Sequence, residues 1–336
     1  MSTVAVWRKG ARSLLAESTI AGPLATLIVV FVLFSLFVPN SNFLSLRSIS
    51  GIVNAATLTG TIAIGVTLLM ISGEFDLSVG SLVAVGGYLY AFNTIDGGSP
   101  VLALSLAILV PAALGALNGL ILIWTRIPSF IVTLGTRSIF RGALWVLSTG
   151  ALAETLEDLT IYDIFNGRLD VLNNLAEGAN FRTSLLWLLG MIVIVQYVLT
   201  RTRYGNHVFA AGGNPAAAQA QGVNVKRVKV INFMISGALA GFTGVLLFSQ
   251  FKSVRVTTGA GMELSAIASA VVGGALLSGG SGSIWGSLIG VLLIGTLRTG
   301  VVLLDLPFIP ADNFEAVVGV TIVGATILND RLRRRS

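Results

Sequence analysis

Apolar residues run along this chain in blocks near the length of a membrane-crossing helix, and polar residues collect between the blocks. The blocks predict about ten spans, near 21–38, 51–72, 79–95, 101–124, 130–147, 184–200, 230–248, 264–277, 284–304 and 314–328. None alternates with the period of a barrel strand. The expected fold is therefore an all-α, polytopic transmembrane bundle, with eight to ten spans according to how the broken pieces are counted. Two breaks stand out. Gly73-Glu74-Phe75-Asp76-Leu77-Ser78-Val79-Gly80-Ser81 separates the second block from the third. Ser278-Gly279-Gly280-Ser281-Gly282-Ser283 cuts short the eighth. Non-helical backbone at membrane depth survives where protein buries it or where it lines a cavity, so segments 73–81 and 278–283 are read as broken or re-entrant.

Charge orients the bundle. With the N-terminus in the cytoplasm, the inner segments hold Arg8, Lys9, Arg12, Arg126, Arg201, Arg203, Lys226, Arg227, Lys229, Arg331, Arg333, Arg334 and Arg335. The outer segments hold Arg47, Arg168, Arg182, Lys252 and Arg255, a bias of thirteen to five. Both termini are expected in the cytoplasm of a bacterial inner membrane. Arg137, Arg141 and Arg298 fall within spans; the first two lie one turn apart. The first span is expected to be retained, since no small-residue cleavage site follows it.

One membrane domain, 1–336, accounts for the chain, with an N-tail 1–20, an outer loop 149–183, an inner segment 201–229 and a basic C-tail 330–336. The outer loop carries Glu154, Glu157, Asp158, Asp163, Asp170 and Glu177 and reads either as a solvated connector or as a docking surface. Composition agrees: of 336 residues 54% are hydrophobic and 11% charged, against roughly 25% charged in soluble domains. The net charge of +6 sits at segment ends and marks topology, not nucleic-acid binding. The chain has no cysteine and a single histidine, His207, so neither a thiolate nor a histidine metal cluster is available.

Candidate chemistry is sparse. Asp76 and Ser78 precede the third block and suit the capping of a helix start. Glu74 reads as a solvated end or as half of an ion pair with an arginine. Gly212-Gly213-Asn214-Pro215 is a turn signal, with Asn214 as cap and Pro215 at the first helical position. Ala216, Ala217 and Ala218 begin a short helix that Gly222 stops; it reads either as a docking element or as an interfacial helix. Asn54, Asn118, Asn232 and Gln196, inside spans, are candidates for a solute path or for helix–helix hydrogen bonds. The pairs Gly115–Gly119, Gly237–Gly241 and Gly286–Gly290 read as close helix packing. A faint echo links Val79-Gly80-Ser81-Leu82-Val83 with Trp285-Gly286-Ser287-Leu288-Ile289. No phosphate-binding loop follows the pattern that ends in Gly-Lys-Ser/Thr, and no catalytic constellation is present.

The segments 73–81, 212–222 and Glu263-Leu264-Ser265-Ala266-Ile267-Ala268 through Gly290, with Ile127-Pro128-Ser129-Phe130, resemble the permease subunit of ribose/xylose/galactose-type ABC importers. The resemblance spans about 43–304. It implies a transport subunit with no enzymatic activity and no cofactor, driven by separate ATP-binding subunits. It also implies an extracytoplasmic solute-binding protein and a second permease chain, identical or related. Gly212, Gly213, Asn214, Ala216, Ala217 and Gly222 would then form the coupling element against the ATPase. Pro215 departs from the glutamate common in relatives. Gly73, Glu74, Asp76, Ser78, Gly80, Ser81, Asn54 and Asn118 become path or gate candidates. The Asp76–Ser81 form favours sugars; branched-chain amino acids or nucleosides are the alternative solutes, and a stand-alone secondary transporter or channel is the alternative class.

Overall fold

The structure, a computed structural model, describes residues 20–304 apart from 175, and a few positions between 316 and 324. Among them, six helices are long and apolar enough to cross a membrane: α2 (Leu46–Ile71), α4 (Pro100–Thr125), α5 (Ser129–Ser148), α8 (Ser184–Arg201), α11 (Val225–Phe251) and α13 (Ile284–Leu304). Three shorter apolar helices, α1 (Ala21–Phe37), α3 (Val79–Ile95) and α12 (Met262–Val272), stand at the remaining predicted spans. The predicted span 314–328 lies largely outside the described residues. The eighth block stops earlier than its hydropathy suggests: α12 ends at Val272, so the second break begins at Gly273.

Local sequence fixes the ends. Ser45 caps α2 by accepting the Ser48 N–H. Pro100 opens α4, where a missing N–H costs nothing. Asn224 caps α11 by accepting the Arg227 N–H. The outward faces remain apolar: Val101, Trp124 and Val193 are exposed, as expected of apolar spans.

Helix α11 forms the centre, packed on α4, α3 and α2. Glycines make this possible. A Cβ at Gly237 would overlap the Pro111 carbonyl of α4, and one at Gly241 would overlap that of Ala107. Gly86 of α3 meets Gly241, and Gly87 meets Gly244. Gly286 and Gly290 of α13 press on the backbone of Gly273 and Ser269. The predicted glycine pairs thus act through close backbone approach.

The loop between α5 and α8 is a folded cap. Strand β1 (Ala153–Glu154) pairs antiparallel with β2 (Ser253–Val254). After β1 the chain forms the short helices α6 (Thr160–Asn166) and α7 (Asp170–Asn173). Tyr162 and Phe165 of α6 enter an aromatic cluster with Tyr90, Phe248 and Phe242, at centroid distances from 5.6 to 6.2 Å. Lys252 reaches Asp158 at 2.6 Å and lies 4.1 Å above the Tyr162 ring.

Candidate functional site

The first break is short and fully supported. Helix α2 ends at Ile71, and Gly73 turns the chain with φ +83°, a conformation costly for any residue with a Cβ. The Phe75 and Leu77 N–H groups then donate to Ser129 Oγ and Thr133 Oγ1 of α5, each at 3.1 Å. Asp76 is wholly buried. Its Oδ1 accepts the Ser78 N–H at 2.8 Å and the Ser78 hydroxyl at 2.6 Å, and Oδ2 accepts Ser236 at 3.4 Å. Asn118 donates to Ser78 Oγ at 2.8 Å. Asp76 therefore makes a local turn one step before the helix and does not cap the first turn of α3. Glu74, almost fully buried, forms an ion pair with Lys229 of α11; the expected arginine is a lysine. The break covers 72–78, with Gly80 and Ser81 already inside α3.

The second break, 273–283, returns to the same place. The Gly280 N–H donates to the Ile71 carbonyl at 2.8 Å, which satisfies the end of α2. Gly279 stands against Gly73 and Gly212, and Gly280 against Gly213. A Cβ on Gly212 would overlap the Ile71 carbonyl and stand 2.7 Å from the Gly280 nitrogen. Both breaks and the inner segment thus meet at a junction of bare backbone. The sequence echo has a structural counterpart: α3 and α13 each restart directly after a break.

Gly212 and Gly213 close α9 (Arg203–Gly213). Asn214 accepts the Ala217 N–H at 3.0 Å, Pro215 occupies the first position of α10 (Pro215–Ala220), and Gly222 turns the chain away with φ +83°. Ala218 is buried against the bundle, while Ala216, Ala217, Gln219 and Ala220 are exposed. Helix α10 therefore turns three alanines and Gln219 outward. Behind α9, Tyr204 donates to Asn232 Oδ1 at 2.7 Å. Burial pushes the Tyr204 hydroxyl above its usual range.

At the opposite end a cleft of about 670 Å³ opens between α2, α11, α12 and α13, lined by Asn54, Thr59, Asn180, Gln250, Ser265 and Arg298 among others. Its volume is in the range of small-molecule sites. Asn54 donates to the Asn180 carbonyl at 2.7 Å.

The predicted path residues therefore separate into three places. Gly73, Glu74, Asp76, Ser78 and Asn118 gather beside the glycine junction, Gly80 and Ser81 stand inside α3 against Glu263 and Arg141, and Asn54 stands in the cleft at the other end. Asn232 and Gln196 serve neighbouring backbone, donating to the Leu68 carbonyl and accepting the Ile284 N–H. Sequence reading missed the hydroxyls of Ser129, Thr133 and Ser236. The i, i+4 spacing of Ser129 and Thr133 at the start of a span was the available signal.

The model of the family described as Branched-chain amino acid transport system / permease component matches residues 48–326. The Ribose import permease protein RbsC of Escherichia coli (strain K12) is 30% identical over 314 residues, covering 93% of each chain. RbsC of Bacillus subtilis (strain 168) is 34% identical over 310 residues, 92% of each chain. The L-arabinose ABC transporter permease protein AraH of Azospirillum brasilense is 32% identical over 316 residues, 94% of this chain and 88% of its own. No solved structure matches.

Proposed function

The chain belongs to this permease family and is a multi-pass membrane permease subunit of an ABC importer, and from that premise we propose that it forms the path for a sugar or a similarly small polar solute. The ribose and arabinose named for its relatives support that solute class. So do the amide and hydroxyl side chains of the outer cleft, which suit neutral hydroxyl groups. ATP hydrolysis belongs to a partner subunit.

The observation that carries the mechanism is the glycine junction. Helix α10 offers its exposed alanines to the ATPase from the cytoplasmic side. Asn214 and Gly222 fix its two ends, and Gly212 and Gly213, at the end of the preceding helix, rest on both breaks. A displacement of α10 therefore reaches the end of α2 and the segment 279–280 through backbone contact, with no slack from side-chain rotation. The first break acts as the inner gate, held in one arrangement by Asp76, Ser78, Asn118 and the Glu74–Lys229 pair. A second permease chain completes the path, both termini lie in the cytoplasm of the inner membrane, and a solute-binding protein docks on the outer cap.

Purification of the tagged chain from its native membrane tests this. An ATP-binding subunit is expected to co-purify, and Ala217→Glu is expected to release it while the permease remains folded. A chain that purifies alone and moves solute in liposomes without ATP overturns the reading.

A further inference from the structure

Helix α5 lies at the edge of the bundle, packed chiefly on α3 and α4. Its outward side carries Ile131, Leu134, Ile139 and Val146, all exposed. Arg137 and Arg141 interrupt this apolar helix. At 1.5 Å per residue, Arg137 stands about 12 Å from the α5 start and about 16 Å from its end, which is mid-membrane. The side chain of Arg137 is 33% exposed, and Arg141 is also partly exposed.

Both arginines are anchored on their inner side. Arg137 Nη2 stands 2.7 Å from Oε1 of Glu263, a wholly buried carboxylate in the first turn of α12. Glu263 Oε2 has no hydrogen-bond donor among the described residues. It fits only because Gly80 lacks a side chain: a Cβ there would overlap Oε2. Arg141 donates from Nε to Ser81 Oγ at 3.3 Å and from Nη2 to the Gly80 carbonyl at 3.2 Å. Ser81 in turn donates to the Arg137 carbonyl at 2.9 Å. The cluster holds two guanidinium groups and one carboxylate, a net positive charge at a depth where a charge facing hydrocarbon is strongly unfavourable. From mid-helix, side chains anchored in this way do not snorkel to either membrane surface.

We infer that Arg137 and Arg141 face the water-filled solute path and make it electropositive at mid-membrane, so that it passes neutral hydroxylated solutes and turns back cations. Glu263 is a positioning residue, holding the Arg137 fork toward the path. The inference rests on the permease reading above, and it places the face of α5 against the path shared with the second permease. Positive charge at a pore constriction is an established barrier to protons and metal cations. A neutral solute crosses it by accepting guanidinium hydrogen bonds through its hydroxyl groups.

The chain's lack of cysteine makes the test direct. Ser138, exposed between the two arginines, is replaced (Ser138→Cys) in the assembled transporter in proteoliposomes. The variant is treated with two methanethiosulfonate reagents of similar size, one an anionic sulfonate and one a cationic ammonium. The expected result is reaction with both, the anionic reagent favoured by about tenfold once each rate is divided by its rate with a small free thiol, as a focused positive field dictates. Adding Arg137→Gln is expected to shrink that ratio severalfold, Arg137→Lys to preserve it, and Glu263→Asp, which keeps the charge but draws it back from Arg137, to lower it. A Ser138→Cys variant inert to both reagents places α5 against lipid and overturns the proposal, as does a ratio unchanged by Arg137→Gln. ATP-driven sugar uptake, followed in the same vesicles, separates the two claims. Uptake by a Ser138→Cys variant whose thiol is inert leaves the permease function standing and removes the charged path.

Discussion

The two ends of this bundle are held by opposite kinds of contact. At one end the cap is fixed by side chains: Tyr90, Tyr162, Phe165 and Phe248 interlock, and Lys252 ties Asp158 to the end of α11. At the other end Gly73, Gly212, Gly279 and Gly280 meet with almost no side chain between them. Large aromatic groups resist displacement because each must leave a fitted cavity. Backbone contacts at glycine permit small changes of angle while keeping the segments of chain in register. The difference teaches that the two ends of the bundle suit different tasks: side-chain interlocking suits holding a shape, and bare backbone contact suits the transmission of motion proposed above.

Three substitutions test that separation, from the largest expected effect to the smallest. Phe248→Ala empties the centre of the aromatic cluster and is expected to cost about 3–5 kcal/mol of stability. It is read as a lower melting temperature in detergent, with the molecules that remain folded still coupled to ATP. Gly212→Ala adds a single methyl group against the Ile71 carbonyl and is expected to cost about 1–3 kcal/mol through overpacking. Here the larger change is expected in function: ATPase activity stimulated by the binding protein, and solute uptake, fall out of proportion to the loss of stability. If Gly212→Ala lowers stability and uptake in step, the junction is packing alone and the comparison breaks. Lys252→Ala removes a partly exposed ion pair and is expected to cost about 0.2–1 kcal/mol, seen as a small shift in melting temperature that high salt abolishes in the parent chain.

Much of the fold was legible in the sequence because lipid imposes a crude and continuous rule: an apolar run of sufficient length crosses. The starts of α4 and α13 follow from hydropathy, while α2 begins at Leu46, ahead of the predicted 51, where Ser45 caps it. The glycine- and serine-rich breaks were legible for the same reason. Their extent was not. Residues 273–277 are apolar enough to continue α12, yet they leave the helix where Gly273 meets Gly286 and the chain turns toward Ile71, contacts far away in sequence. The outer cap was hidden because α6 and α7 are shorter than any span and their burial depends on aromatic partners elsewhere in the chain. Of the candidate site, the turn at Asn214–Pro215 was readable as local chemistry. The Glu74–Lys229 and Arg137–Glu263 pairs were not, since nothing local states which distant charge a buried carboxylate will meet.

The bare junction has a bearing on how such a chain can change over generations. Contacts made by glycine backbone do not depend on the identity of neighbouring side chains, whereas the cleft offers side chains such as Asn54, Gln250 and Ser265. Under the function proposed above, substitutions that retune which solute is accepted fall on one set of atoms, and the linkage to the motor rests on another. On that reading a lineage exchanges cargo by ordinary point mutation and keeps its drive shaft intact, so long as the glycines at 73, 212, 279 and 280 are left alone.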